Sequence, residues 1–161
     1  MIVFVEKKNV DKCFDENDGV FIAVSCDLLH HADWMADSSG LVPPPDVLAH
    51  YISTGSKSTL RTEYYQYLSD PRILMMLGLR IFQADKENVF FCYSKMEKET
   101  GYPKMLREFI TDHLKIPKDF VVKYKDFDNE FHRMKPKTYN SFMQKMKDIQ
   151  EKCNEALHVL D

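Results

Sequence analysis

Two apolar runs decide the fold: Val20-Phe21-Ile22-Ala23-Val24 and Val89-Phe90-Phe91-Cys92-Tyr93. Both are apolar at consecutive positions, which is typical of strands that helices cover on both faces of a parallel sheet. A third such run begins at Phe120, and a helical pattern that starts at Pro103 separates it from the second. Residues 88–124 therefore predict a strand-helix-strand unit with a right-handed, parallel crossover.

The rest of the chain supplies one more strand and several helices. Ile2 to Val5 reads as the first strand, and a helix is expected to open at Pro45 or Asp46. Further helices are predicted over residues 58–68 and after Ser69-Asp70-Pro71, and the second of these is nearly all apolar, so it should lie inside. Loops are expected at Asp11–Gly19, at Ser25–Leu41 and at residues 94–101. The pattern predicts an α/β fold with a mainly parallel sheet of about four strands, flanked by helices.

The last part of the chain predicts one long helix over residues 138–160. Its apolar residues alternate in steps of four and three: Phe142, Met146, Ile149, Cys153, Ala156 and Leu160. Such a seam is typical of a helix that packs across its own domain or that pairs with a second copy in a homodimer.

Length and composition indicate one domain over residues 1–161, with 44% apolar and 29% charged residues. No apolar run approaches the roughly 20 residues of a membrane span. The four cysteines lie far apart, which favours free thiols in a reducing compartment, so we expect a soluble, cytoplasmic protein. The net charge of -3 gives no overall case for nucleic acid. Residues 1–56 hold nine acids and three bases, whereas residues 57–161 hold sixteen acids and nineteen bases, so an anionic partner should meet the later part.

Polar and reactive side chains follow two of the predicted strands. In open α/β sheets, ligands bind beyond the carboxyl ends of the strands, so these groups would share one cleft if the two strands were parallel neighbours. Candidate catalytic residues, as thiol nucleophiles or acid-base groups, are Cys26, Asp27, His30 and Cys92. Candidate ligand-binding residues at the same edge are Ser25, Tyr93, Ser94 and Tyr102.

Residues Thr54 to Thr59 contain Gly55-Ser56-Lys57, which resembles part of a phosphate loop. Together with Arg61, Lys57 would offer cations to an anion at a helix N-terminus. The stretch lacks the spacing of a Walker motif. An alternative is that its serines are present to cap the helix that follows, with Ser56 or Ser58 as the capping residue.

Metal and phosphatase chemistry are weakly supported. His30, His31 and Asp33 have suitable ligand types, but no His-x-His or Glu-x-x-His pattern accompanies them, so no metal and no cofactor are predicted. Cys92 does not begin a Cys-x5-Arg loop, since the sixth residue after it is Lys98.

The stretch from Lys95 to Lys147 is basic, with thirteen bases against eight acids. Aromatic residues lie between these cations: Tyr102, Tyr124, Phe127 and Tyr139. Interleaved cations and aromatic rings suit single strands or exposed bases, although a solvated surface shows the same pattern.

Residues 60–112 resemble a family of small, uncharacterised bacterial α/β proteins. The resemblance is carried by Tyr64-Tyr65-Gln66-Tyr67-Leu68, an apolar helix, and a strand with Cys92 near its end. Where the family has Cys-His-Arg at the next helix start, this chain has Gly101-Tyr102-Pro103. The resemblance therefore implies the fold, and it does not carry over chemistry that depends on the triplet.

Two functions are expected from the sequence. The first is a binding protein that recognises a nucleotide, a phosphorylated ligand or nucleic acid in a cleft at the carboxyl ends of the strands. The alternative is a non-enzymatic interaction module or inhibitor of other proteins, such as one that a phage or mobile element encodes. Binding is favoured over catalysis because no paired acid-base constellation is visible.

Overall fold

A computed structural model describes residues 1–26, 28, 32, 34–127, 144 and 146–156. In this part of the chain, five strands form one sheet in which every pairing is parallel. The strands are β1 (Ile2–Glu6), β2 (Val20–Ala23), β3 (Met35–Asp37), β4 (Val89–Tyr93) and β5 (Val121–Lys123). Their order across the sheet is β3-β2-β4-β1-β5. The predicted α/β class with a parallel sheet is confirmed, with one strand more than expected.

Helices flank this sheet. They are α1 (Lys7–Glu16), α2 (Pro45–Thr54), α3 (Lys57–Leu68), α4 (Pro71–Gln83), α5 (Lys95–Thr100) and α6 (Tyr102–Glu108). A π-helical turn, Phe109–His113, extends α6. The residues at the starts of these helices favour helix formation there. Proline stands in the first turn of α2 and of α4, and the side chain of Asp70 accepts a hydrogen bond from Arg72 N–H at the start of α4.

The two deciding strands lie side by side. Val20 is level with Val89 and Ala23 with Cys92, so β2 and β4 run the same way and end at the same edge of the sheet. Strands β4 and β5 are parallel as predicted, but β1 lies between them and pairs with both. All four strand residues Ile2, Val3, Phe90 and Phe91 are buried, as expected of strands covered on both faces.

Three segments that were expected to be loops contain regular structure. Helix α1 occupies most of the acidic run, because Val10 and Cys13 are buried three residues apart on one helical face. Helix α5 forms where a loop was expected, because Ser94 and Glu97 make a reciprocal capping box. Strand β3 is a three-residue addition beside β2 with no apolar run of its own, so pattern analysis missed it.

Helix α4 is amphipathic, and the expectation that it lies wholly inside is wrong. Leu74, Leu77 and Ile81 are buried. Met75, Leu79 and Phe82 are exposed, with Leu79 at 64%.

The chain is helical again over residues 146–156, and this helix contacts α4. Ile149 and Cys153 are buried; a Cβ placed on Gly78 would lie 3.4 Å from Ile149 Cγ2, and the Cys153 thiol lies 3.3 Å from Pro71 O. Of the predicted seam, Phe142 and Leu160 lie outside the described residues. No helix in the described ranges has the length and apolar character needed to cross a bilayer.

Candidate ligand-binding cleft

A cleft of about 460 Å³ opens at the carboxyl ends of β1, β4 and β5. It forms there because β1 pairs with both neighbours in register, which brings Glu6 level with Tyr93 and Phe4 level with Lys123. The segments that leave these strands then form its walls: the first turn of α1, helices α5 and α6, and the turn Tyr124–Asp126. This is the edge at which α/β sheets bind ligands.

The lining of the cleft is strongly basic. Its cationic residues come from five helices or turns and one strand: Lys8, Lys57, Lys98, Lys104, Arg107, Lys123 and Lys125. The acidic residue in the lining is Glu6, whose carboxylate lies 3.5 Å from Lys8 Nζ and 3.6 Å from Lys98 Nζ. A single carboxylate cannot offset seven cations, so the described residues of the lining carry a net positive charge.

The crowding of these cations lowers the pKa of Lys123. The nearby guanidinium of Arg107 is the largest cause that lowers the pKa of the Lys123 ammonium from 10.5, followed by burial and then by Lys125. Asp126 acts in the opposite direction but does not cancel the effect. The charged form is thus less favourable here than in water, which is the condition that an anionic ligand would relieve.

Lys57 reaches the cleft from the start of α3. Its ammonium lies 3.4 Å from the carbonyl oxygen of Glu99, and a Cβ on Gly101 would lie 3.6 Å from the same nitrogen. Gly101 has φ +89, so it ends α5 and starts α6 in a conformation that other residues rarely adopt. This sharp connection places Lys98 and Lys104 in the lining of the same cleft.

Two half-buried tyrosines contribute apolar surface between the cations. Burial raises the pKa of Tyr93, Glu6 raises it further, and Arg107 lowers it. Burial is also the first cause that raises the pKa of Tyr124, whose hydroxyl hydrogen-bonds Glu16. Both rings line the cleft beside charged groups.

The start of α1 adds to the positive potential. The helix follows Glu6 directly, its first turn has no acidic residue, and no side chain caps it. The first N–H groups of a helix have no partner within the helix and carry the positive end of its dipole. Lys8 and Asn9 of this turn line the cleft.

Several residues predicted to bind or react have structural contacts instead. Ser25 is buried and its hydroxyl accepts a hydrogen bond from Leu28 N–H at 3.2 Å, while Ser94 caps α5. Tyr102 is buried, and its hydroxyl lies 2.7 Å from Val24 O and 2.5 Å from Glu97 Oε2. These groups join the end of β2 to α5 and α6, and they do not line the cleft.

The thiols and Arg61 are also placed away from the cleft lining. Cys92 is fully buried, and burial raises the pKa of its thiol well above the ordinary value. Cys26 is exposed. Arg61 lies 2.6 Å from Glu108 and donates to Tyr65 Oη at 3.0 Å on another surface, and Ser56 caps α3.

The remaining candidates, Asp27, His30, His31 and Asp33, lie outside the described residues. Within the described part of the chain, no group of three His, Cys, Asp or Glu side chains is arranged to hold a metal ion.

Of the predicted ligand-binding residues, Lys57 and Tyr93 line the cleft. Sequence reasoning missed Glu6 and Lys8. It singled out the basic stretch 95–147 but did not place five of its cations at the strand ends: Lys98, Lys104, Arg107, Lys123 and Lys125. A signal for these positions was present in the sequence, since Glu6 ends the first strand, Lys7-Lys8 follows it directly, and Lys123 ends the last strand.

Comparison of the chain with family models, with curated proteins and with solved structures finds no match. The resemblance of residues 60–112 to the bacterial family stays a prediction.

Proposed function

We propose that this protein binds a phosphate-bearing ligand of the nucleotide or nucleic-acid class in the basic cleft. One observation carries the proposal: among the residues that the structure describes, seven cations and a single carboxylate line a cavity at the carboxyl edge of a parallel sheet. Phosphate groups are the common biological anions whose charge and oxygen acceptors match several Lys and Arg side chains at once.

The chemistry of the lining supports binding rather than catalysis. Histidine and cysteine side chains are absent from the described lining, and Glu6 is held between two lysines. General acid-base catalysis usually relies on histidine or on a pair of titratable groups with separate roles, and the described lining offers neither. The four free cysteines favour the cytoplasm, where phosphorylated metabolites and nucleic acids are present.

Calorimetric titration with inorganic tripolyphosphate tests this proposal. The double variant Lys104→Ala/Lys123→Ala should weaken binding by about a hundredfold, because each of the two lost charge-assisted contacts is worth roughly 1.5 kcal/mol and every 1.4 kcal/mol is tenfold in affinity. The matched control Lys12→Ala/Lys86→Ala removes two exposed lysines that are not in the lining and should bind like the wild type. Equal binding by the two double variants, or none by the wild type, would reject the proposal.

A protein-interaction module is the second candidate, and a different observation favours it. Met75, Leu79 and Phe82 recur in steps of four and three on α4 and are exposed. Apolar side chains aligned on one helical face are typical of contact surfaces. The helical residues Ile149 and Cys153 are already buried within the same chain, so a homodimer would use the exposed face of α4.

Sedimentation velocity over a range of concentrations tests this second candidate. It predicts self-association of the wild type and a monomer for Leu79→Glu, whose side chain is the most exposed of the three. The control is Ile52→Glu, because Ile52 is an isolated exposed residue on α2. A wild type that stays monomeric at all concentrations would remove the support for a homodimer.

A further inference from the structure

We propose that the ligand of the cleft is a single strand of nucleic acid, an inference that depends on the proposed phosphate-binding function. Three features of the described residues support this ligand class: the number of cations in the cleft, a second cavity that shares two of them, and the position of the tyrosines.

The number of cations exceeds what one compact phosphate group can contact. The seven side chains start from five helices or turns and from β5, so they surround the cavity rather than converge from one element. A single phosphate bound at one point would leave the more distant cations repelling one another. A strand supplies one phosphate per nucleotide and distributes its negative charge along the lining.

A second cavity of about 380 Å³ adjoins the cleft, shares Arg107 and Lys123 with it and adds Lys118. Glu108, Asp112 and Asp126 also line this cavity, so its described lining holds as many carboxylates as cations; Glu108 is paired with Arg61 at 2.6 Å. Arg107 and Lys123 thus lie where the two cavities meet, and the excess of positive charge is confined to the cleft. A bound strand is therefore expected to follow the cleft and to leave it near Arg107 and Lys123.

Aromatic rings lie among these cations. Tyr124 stands between Lys123 and Lys125 in the chain, and Tyr93 is close enough to Arg107 for the guanidinium to lower its pKa. Single-strand sites combine a basic groove with aromatic rings on which bases stack, in any sequence. The bases of a duplex are stacked within the helix, so a duplex would offer its backbone to the lysines but no base face to the tyrosines.

Fluorescence anisotropy with a labelled oligothymidylate of about twelve nucleotides tests the inference, a length within the range of single-strand sites. We expect the single strand to bind at least about tenfold more tightly than inorganic tripolyphosphate or a duplex of equal length. The logarithm of the association constant should fall with the logarithm of salt concentration with a slope of about -2 to -4.

Variants of Tyr124 separate base stacking from charge. Tyr124→Leu should weaken binding by roughly tenfold and leave the salt slope unchanged, whereas Tyr124→Phe keeps the ring and should retain the affinity. Lys104→Ala should instead lower the salt slope by about 0.7. Circular dichroism and thermal unfolding confirm that each variant is folded.

The outcomes distinguish this inference from the proposed function. Tripolyphosphate or duplex binding as tight as single-strand binding, or full affinity of Tyr124→Leu, would overturn the single-strand assignment and leave the phosphate cleft standing. Absence of binding to all three probes would overturn both.

Discussion

Arg107 and Lys123 are like-charged neighbours in the lining of the cleft, and the guanidinium is the largest cause of the lowered pKa of Lys123. Two cations held together in this way reduce the stability of the charged form of the lysine. Mutual attraction does not account for their proximity, and under the proposed function both cations would contact the same anionic ligand.

Removing Arg107 should raise the pKa of Lys123 towards its ordinary value of 10.5, because the nearest like charge is lost. NMR titration of the lysine side chains in wild type and Arg107→Ala measures this directly. An unchanged Lys123 pKa in the variant would show that burial, and not the guanidinium, is the main cause.

The same pKa gives a direction for the effect of pH on binding. An anionic ligand favours the charged ammonium, so binding should raise the pKa of Lys123 and take up protons. Affinity for tripolyphosphate should then be highest below the pKa of Lys123 in the free protein and fall as pH rises through it, in a window that begins below 10.5. Calorimetric titration at several pH values measures this affinity. An affinity for tripolyphosphate that rises across the window would contradict the account.

Tyr102→Phe should destabilise the protein by about 1–3 kcal/mol, because the variant removes the hydroxyl beside Val24 O and Glu97 Oε2 in a buried site. Urea unfolding measures the free-energy difference. The control Tyr51→Phe, at a partly exposed position, should change it by less than about 0.5 kcal/mol. Equal effects of the two variants would show that the Tyr102 hydroxyl does not stabilise the fold.

Gly19→Ala should lower the free energy of unfolding by about 3–5 kcal/mol, because the new side chain adds backbone strain and a steric clash. Gly19 has φ +154, and a Cβ there would lie 2.5 Å from Asn88 O and 2.7 Å from the ring of Phe90. Gly55 also has positive φ, at +66, but a Cβ there would meet nothing within 4 Å. Gly55→Ala should therefore lower the free energy of unfolding by only about 1–2 kcal/mol, from backbone strain alone. Thermal unfolding of the two variants separates the clash from the strain, and equal losses would rule out the clash.

Cys26 should react first with iodoacetamide in the folded protein, because it is the exposed cysteine. Burial raises the pKa of Cys13 to about 12 and that of Cys92 further, so both lack thiolate at about pH 8. Mass spectrometry after timed labelling measures the rates. Labelling of Cys92 as fast as Cys26 would show that the end of β4 is open to solvent.

Much of the fold could be predicted from local patterns. The consecutive apolar runs at Val20 and Val89 indicated parallel, doubly covered strands, and the proline openings of α2 and α4 were visible as capping signals. Helix α1 was missed because its two buried anchors, Val10 and Cys13, are surrounded by charged residues. Helix α5 was missed although Ser94 and Glu97 have capping-box spacing.

The site was harder to predict because it depends on strand order. The candidate residues predicted from the sequence lie near the ends of β2 and β4, where Ser25 and Tyr102 make buried hydrogen bonds within the fold. No local pattern shows that β1 inserts between β4 and β5, and that insertion brings Glu6, Tyr93 and Lys123 to one edge.

An amide NMR titration with tripolyphosphate tests the central claim most directly, because it locates the ligand on the chain. We expect shifts that saturate and are largest at Glu6 to Asn9, at Lys98 to Arg107 and at Lys123 to Lys125. Saturating shifts centred on Ser25 and Cys26 instead, or no saturable shift in the cleft, would contradict the assignment of the basic cleft as the binding site.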